Sequence, residues 1–366
     1  MTRARTLANA AGCLLALAIV VAAPRAWAFE GPKIDDVARV LAGLEPSAGS
    51  PLAPVTRDPG WQQHARSLNA AWASLEERRL AKIRAWSAAN LAEQQPVVLY
   101  MFSGPDFLYA DAFFPNRSTY VLAGLEPVGQ PPVITEQTRR SLAPALAGLR
   151  SSLGSVLNYS FFITRQMRAG LGAQRFSGVV PILYLFLARA GKTIHEVHLI
   201  GVDKEGTVVA AATRDAAPGV KIVFSGSDGK MQTLYYFQTD LSDGGLKRSG
   251  FLKFCEALGG ADGFIKSASY LLHAESFSVM RDFLLARTTA LVQDDSGIPV
   301  RFFKTEEWRL RPFGRYLGPI GVFPGRYQSK LSDVYRRSNP PALDFGVGYR
   351  WRPHESNLLL AVRTGK

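Results

Sequence analysis

The stretch from Ile194 to Asp240 constrains the fold most. It holds four runs of strand-forming residues, His195–Val202, Thr207–Thr213, Val220–Phe224 and Met231–Thr239. Between them lie Asp203-Lys204-Glu205-Gly206, Ala217-Pro218-Gly219 and Gly226-Ser227-Asp228-Gly229. Links this short leave no room for a crossover helix, so they favour antiparallel neighbours. The stretch reads as a meander of about four strands. Shorter strand-type runs occur at Val97–Phe102, Thr119–Leu125, Val300–Phe303 and Leu358–Val362. Val179–Ala188 suits a buried strand or a short core helix. Leu142, Leu146, Leu149, Leu153 and Val156 recur at helical spacing, and 246–258 and 276–292 also read as helix. Runs of strands and runs of helices without regular alternation predict an α+β fold, an antiparallel β-meander core with flanking helices.

A helical layer precedes this core. Ile34, Val37, Val40, Leu41 and Leu44 mark one helix, which Pro46 stops. A linker rich in Pro, Ser, Gly and Ala follows to Pro54. Asp58-Pro59 then reads as an N-cap with Pro in the first turn. The helix beyond puts Trp61, Leu68, Trp72, Leu75, Ile83 and Trp86 on one face, and Pro96 ends it. The expected organisation is a helical segment over 29–95 and a main α+β domain over 96–366.

Residues 1–28 read as an export signal. Arg3 and Arg5 precede an apolar run from Cys13 to Ala23, and Ala26-Trp27-Ala28 presents small residues at the cleavage positions. The run is shorter than the ~20 residues that span a bilayer. The expectation is a periplasmic or secreted protein with no stable membrane span after cleavage. Cleavage removes Cys13 and leaves Cys255, so no internal disulfide can form and packing alone must stabilise the chain. Flanked by Phe251, Leu252, Phe254 and Leu258, Cys255 reads as a buried structural residue. A chain of 366 residues, 47% hydrophobic and 20% charged, is too apolar for a disordered tail.

Three polar blocks stand out. In FSGPDF (102–107), directly after a strand-type run, Asp106 is a candidate acid, base or ligand, or else the cap of a structural turn. In KSASYLLH (266–273), Ser269 and His273 would lie one turn apart on a helix, where a Ser–His pair can activate a hydroxyl. The alternative is a half-buried polar helix. In QDDSGIP (293–299), Asp294 and Asp295 would follow a helix C-terminus, where the dipole disfavours carboxylates unless an Arg, backbone N–H groups or a bound cation offsets it. His195 and His198 would point to opposite faces of a strand, and the sequence has no H-E-x-x-H.

The charge is uneven. The formal net charge is +13, of which the signal holds three positive residues. Residues 299–366 hold 13 Lys or Arg against 5 Asp or Glu, while the rest of the mature chain is nearly balanced. Arg309, Arg311, Arg315 and Tyr316 belong to this basic, aromatic region, a composition that suits an anionic cell-envelope component. The alternative is a solvated arginine rim over an aromatic core. Export argues against a nucleic-acid partner. Cofactor and oligomeric state are not set by the sequence.

The blocks FSGPDF, KSASYLLH and QDDSGIP, with SNLLLAV at 356–362, resemble an uncharacterised family of exported bacterial proteins. The resemblance spans most of the mature chain. It implies one continuous domain, and no activity or cofactor. Two functions follow from the residues themselves: a binder of an anionic envelope ligand through the C-terminal region, or a hydrolase-like enzyme whose site is formed by the 102–107 and 293–299 loops.

Overall fold

The computed structural model describes residues 32–91, 95–135, 141–162 and 176–364. The expected export signal lies outside them. The described strands are β1 (Val97–Tyr100), β2 (Thr119–Gly124), β3 (Thr193–Val202), β4 (Val208–Ala210), β5 (Ala217–Ser225), β6 (Met231–Gln238), β7 (Ala261–Ile265), β8 (Thr288–Gln293), β9 (Trp308–Gly314) and β10 (Asn357–Arg363). They form one sheet in the order β4-β3-β5-β6-β2-β1-β7-β8-β10-β9. The fold is α+β, and most strand pairings are antiparallel; among β3 to β6 the short links require it.

The middle of the sheet is different. β6, β2, β1, β7 and β8 run parallel to one another. Val97–Tyr100 and Ala261–Ile265 are buried at every position, because helices cover both faces there. On one face, Tyr100, Tyr120, Leu122 and Phe264 share a core with α1 (Ile34–Leu41), α2 (Pro59–Leu75), α3 (Ala81–Asn90), α4 (Phe107–Phe113), α5 (Leu142–Tyr159) and α6 (Val180–Arg189). On the other, Leu99, Val121 and Leu291 pack with α7 (Asp243–Leu246), α8 (Phe251–Ala257) and α9 (Ser278–Arg287). α10 (Ser329–Ser338) packs near the β9 edge. Residues 34–90 thus share their core with the sheet.

Local chemistry sets the element ends. The Asp58 carboxylate accepts from the N–H of Gly60 (2.8 Å) and Trp61 (3.2 Å), capping α2 with Pro59 in its first turn. A wider π turn at Glu76–Leu80 joins α2 to α3. The helix expected to Val292 stops at Arg287, because Thr288–Gln293 pairs with β7 and β10 as β8. Residues 300–302 form a short 3-10 turn, not a strand. Ala217-Pro218-Gly219, expected as a turn, begins β5. β5 bypasses the short β4 to pair with β3, so the expected meander has β4 at its outer edge.

The connections place the site. The chain leaves β1 through α4 on one face and returns as β2 on one side. It leaves β7 through α9 on the other face and returns as β8 on the opposite side. The loops after β1 and β7 therefore diverge, and a crevice opens between the carboxyl ends of these adjacent strands. Such a switch point is the general position of ligands on open parallel sheets.

Candidate functional site

At the end of β1 the chain turns through Phe102 (φ 61°) and Gly104 (φ 55°) into α4. Asp106 caps that helix, its Oδ1 accepting from the Tyr109 N–H at 3.3 Å. The other oxygen accepts from Tyr100 Oη at 2.8 Å and from Lys266 Nζ at 2.9 Å. Lys266 is the first residue beyond β7, and both side chains of this ion pair are 2% exposed. Lys266 also donates to the Ser160 carbonyl and lies 4.2 Å from the Tyr109 ring centre. Burial lowers the Lys266 pKa, and the Asp106 charge opposes that shift.

The turn after β7 is held by side chains. Ser267, Ser269 and Tyr270 all have positive φ, of 52°, 50° and 55°. Such backbone costs on the order of 1–3 kcal/mol per residue and persists only where the surroundings impose it. Here Asp294 accepts from the Ser267 N–H (3.0 Å), Ser296 Oγ from the Ala268 N–H (2.8 Å), and Tyr349 Oη from the Ser269 N–H (3.1 Å). Tyr349 Oη donates to the Ser267 carbonyl at 3.0 Å. Ser267 Oγ is buried without a hydrogen-bond partner among the described residues.

These loops enclose a cleft of about 250 Å³, whose polar lining includes Ser103, Asp106, Glu126, Lys266, Ser267 and Ser269. Glu126 needs the glycines opposite it. A Cβ on Gly124 would lie 2.4 Å from Glu126 Oε2, and one on Gly104 would lie 3.3 Å away. Phe102, Phe161, Phe162 and Phe277 supply apolar walls.

The cleft is lined by the 102–107 loop and the 266–269 turn, and no residue of the 293–299 loop is among its lining, so the site expected from 102–107 and 293–299 forms differently. Asp106 forms the floor of the cleft with Lys266. Asp294 stands one layer behind, bound to Ser267 N–H and to the N–H and hydroxyl of Ser296. Burial raises the Asp294 pKa, and its bonds to Ser296 and Ser267 oppose this. Asp295 lies deeper, outside the cleft lining. It accepts from Tyr270 Oη (2.7 Å) and Asn357 Nδ2 (3.1 Å), and burial, then the Asp294 charge, raises its pKa to about 7. The N–H and hydroxyl partners of Asp294 meet the requirement that something offset these carboxylates. They follow a strand and not a helix end, so no helix dipole acts on them.

The expected Ser269–His273 pair does not form on a helix, because 266–270 is a side-chain-held turn. Ser269 is exposed at the rim and shares a hydrogen bond with Tyr349 Oη at 3.1 Å. His273 ends a short 3-10 turn, its ring edge-on to Tyr270 at 5.2 Å. Burial, then the charges of Arg326 and Arg301, lowers its pKa to about 4. His273 is therefore neutral near pH 7, and it is not in the lining of the cleft.

Arg309 and Arg311 are exposed on one face of β9 at the sheet edge. Arg311 donates to Asn90 Oδ1 at 3.0 Å. Arg315 is exposed just beyond the strand. Tyr316 packs against Tyr327 and Tyr335, and its Oη accepts from the Gln328 N–H at 2.8 Å. Elsewhere in this region Arg336, Arg352 and Arg363 are ion-paired, and Arg350 holds the carbonyls of Gly318 and Pro319. Cys255 is buried, and burial raises its pKa, as a structural thiol requires.

Tyr100, Glu126, Ser267 and Tyr349 emerge only in three dimensions. In the sequence Lys266 is marked only by its place at the head of the KSASYLLH block. Comparison with family models, with curated proteins and with solved structures finds no match to this chain.

Proposed function

We propose that the chain is an exported, hydrolase-like enzyme that takes a small polar molecule into the cleft between β1 and β7. The observation that carries this reading is the desolvated Lys266–Asp106 pair on the floor of an accessible cleft at the sheet's switch point. A lysine with a lowered pKa, held by a carboxylate, can exchange a proton with a bound substrate. Ser267, in the cleft lining, adds a hydroxyl with no partner among the described residues, which a bound substrate could engage as hydrogen-bond partner or electrophile. The leader at 1–28 supports export, and cleavage after Ala28 would appear in the amino-terminal sequence of the secreted protein.

The test is turnover of a panel of chromogenic carboxylic esters, phosphate monoesters and glycosides. Ser267→Ala and Asp106→Asn are expected to lower kcat/KM by about 100-fold or more, the usual scale for a nucleophile or acid–base group. Ser269→Ala, at the rim, should stay within about threefold. Equal turnover by wild type and the first two variants would overturn the assignment, as would no turnover across the panel. A second reading rests on Arg309 and Arg311 sharing the exposed face of an edge strand: this face binds an anionic envelope surface, with affinity that falls steeply with salt.

A further inference from the structure

A second cleft, of about 430 Å³, opens between α2, α4 and the end of α6. Its charged lining is Glu76, Arg84, Asp111, Arg189 and Lys192. Four of these are matched. Arg84 pairs with Glu76, and Lys192 Nζ lies 2.9 Å from Asp111 Oδ1. Arg189 is left over. Its Nε and Nη2 are buried with no hydrogen-bond partner among the described residues. Desolvation lowers its pKa to about 10, and no carboxylate counters that shift. Its guanidinium lies 5.9 Å from the Trp72 ring centre, and the carboxyl end of α6 offsets part of the cost. Neither supplies the planar acceptor that a guanidinium fork matches.

From this unmatched guanidinium in a lined cleft, we propose a site for a singly charged oxyanion, a carboxylate or a phosphate monoanion. One negative charge balances the five charged groups. The anion's oxygens accept from Arg189, and the Trp72 ring forms the wall against which an apolar substituent rests. This site lies apart from the β1/β7 cleft and does not depend on the enzymatic reading.

The probes are inorganic phosphate and acetate, each compared with chloride at equal ionic strength. At about ten times the dissociation constant, either anion that occupies the site is expected to raise Tm by about 2 °C over chloride. Phosphate alone, acetate alone, or both giving this shift distinguishes the source of the oxyanion. Arg189→Gln removes the unpaired charge and should abolish the shift, with Tm in chloride no lower than wild type. Arg189→Lys should retain a weaker shift. In the wild type, phosphate or acetate should move the NMR signals of the Trp72 indole and the Gly191 amide. That measurement decides the question even where Arg189→Gln does not fold. No shift over chloride with either anion, an unchanged response in Arg189→Gln, or anion-induced signals confined to other regions would overturn the proposal.

Discussion

Lys266 and Asp106 are both 2% exposed and depend on each other. Removing one member of a buried ion pair leaves an uncompensated charge and typically costs about 3–5 kcal/mol. Lys266→Met should therefore destabilise the protein by that amount in urea unfolding. Adding Asp106→Asn should recover more than half of it, because the asparagine Oδ1 still caps α4 and its Nδ2 can donate to Tyr100 Oη, while the side chain carries no charge. A double variant as unstable as the sum of the two single variants would show that the pair is not coupled.

Asp295 gives a second test at this scale, through pH. Its folded-state pKa, raised to about 7, exceeds the ~4 of an unfolded aspartate, so the folded protein holds that proton more tightly. The associated stability is full below about pH 4 and is lost as pH rises toward 7. His64 and His273 act oppositely. Burial lowers both to about 4, below the ~6.5 of an unfolded histidine, so their contribution is present above that value and lost on acidification. The difference between wild type and Asp295→Asn reports the Asp294–Asp295 pair without the histidines. The variant should gain stability relative to wild type between pH 4 and pH 7, by an amount on the order of 1–3 kcal/mol, and no further above pH 8. A pH-independent difference would contradict the assignment.

Among the elements, those governed by local rules were legible in the sequence. The N-cap Asp58, Pro59 and the Trp61-to-Trp86 face lead directly to α2 and α3. The polar turns at 203–206 and 226–229 lead to the antiparallel strands. The misreadings have specific physical causes. Helical spacing of Phe283, Leu284 and Leu291 runs on past Arg287, but pairing with β7 and β10 turns 288–293 into strand. Leu271 and Leu272 make 266–273 look helical, whereas Tyr349, Asp294 and Ser296 capture its backbone N–H groups from 27 to 80 residues away. β7 was missed because five residues including Asp262 and Gly263 lack a strand's period. Of the site, Asp106, Asp294 and Ser269 stand in blocks visible as polar interruptions of apolar sequence. Lys266 did not announce its role, since its carboxylate partner is 160 residues distant in the chain.

On the scale of the whole molecule, the sheet explains why these blocks belong together. Antiparallel strands on both flanks close a parallel centre, and the divergence of the β1 and β7 connections leaves a crevice where FSGPDF and KSASYLLH face each other. QDDSGIP stands behind and holds the second of these loops in place through Asp294 and Ser296. The basic C-terminal part divides its arginines between structural bonds and an exposed strip on β9, so its net charge overstates what is free to meet a partner. The proposed function requires that a substrate bind in the β1/β7 crevice. Crystals soaked with a library of small polar fragments test it most directly. Bound fragments are expected to concentrate in the cleft, against Asp106, Lys266 and Ser267. An empty β1/β7 cleft, with fragments bound elsewhere, would contradict it.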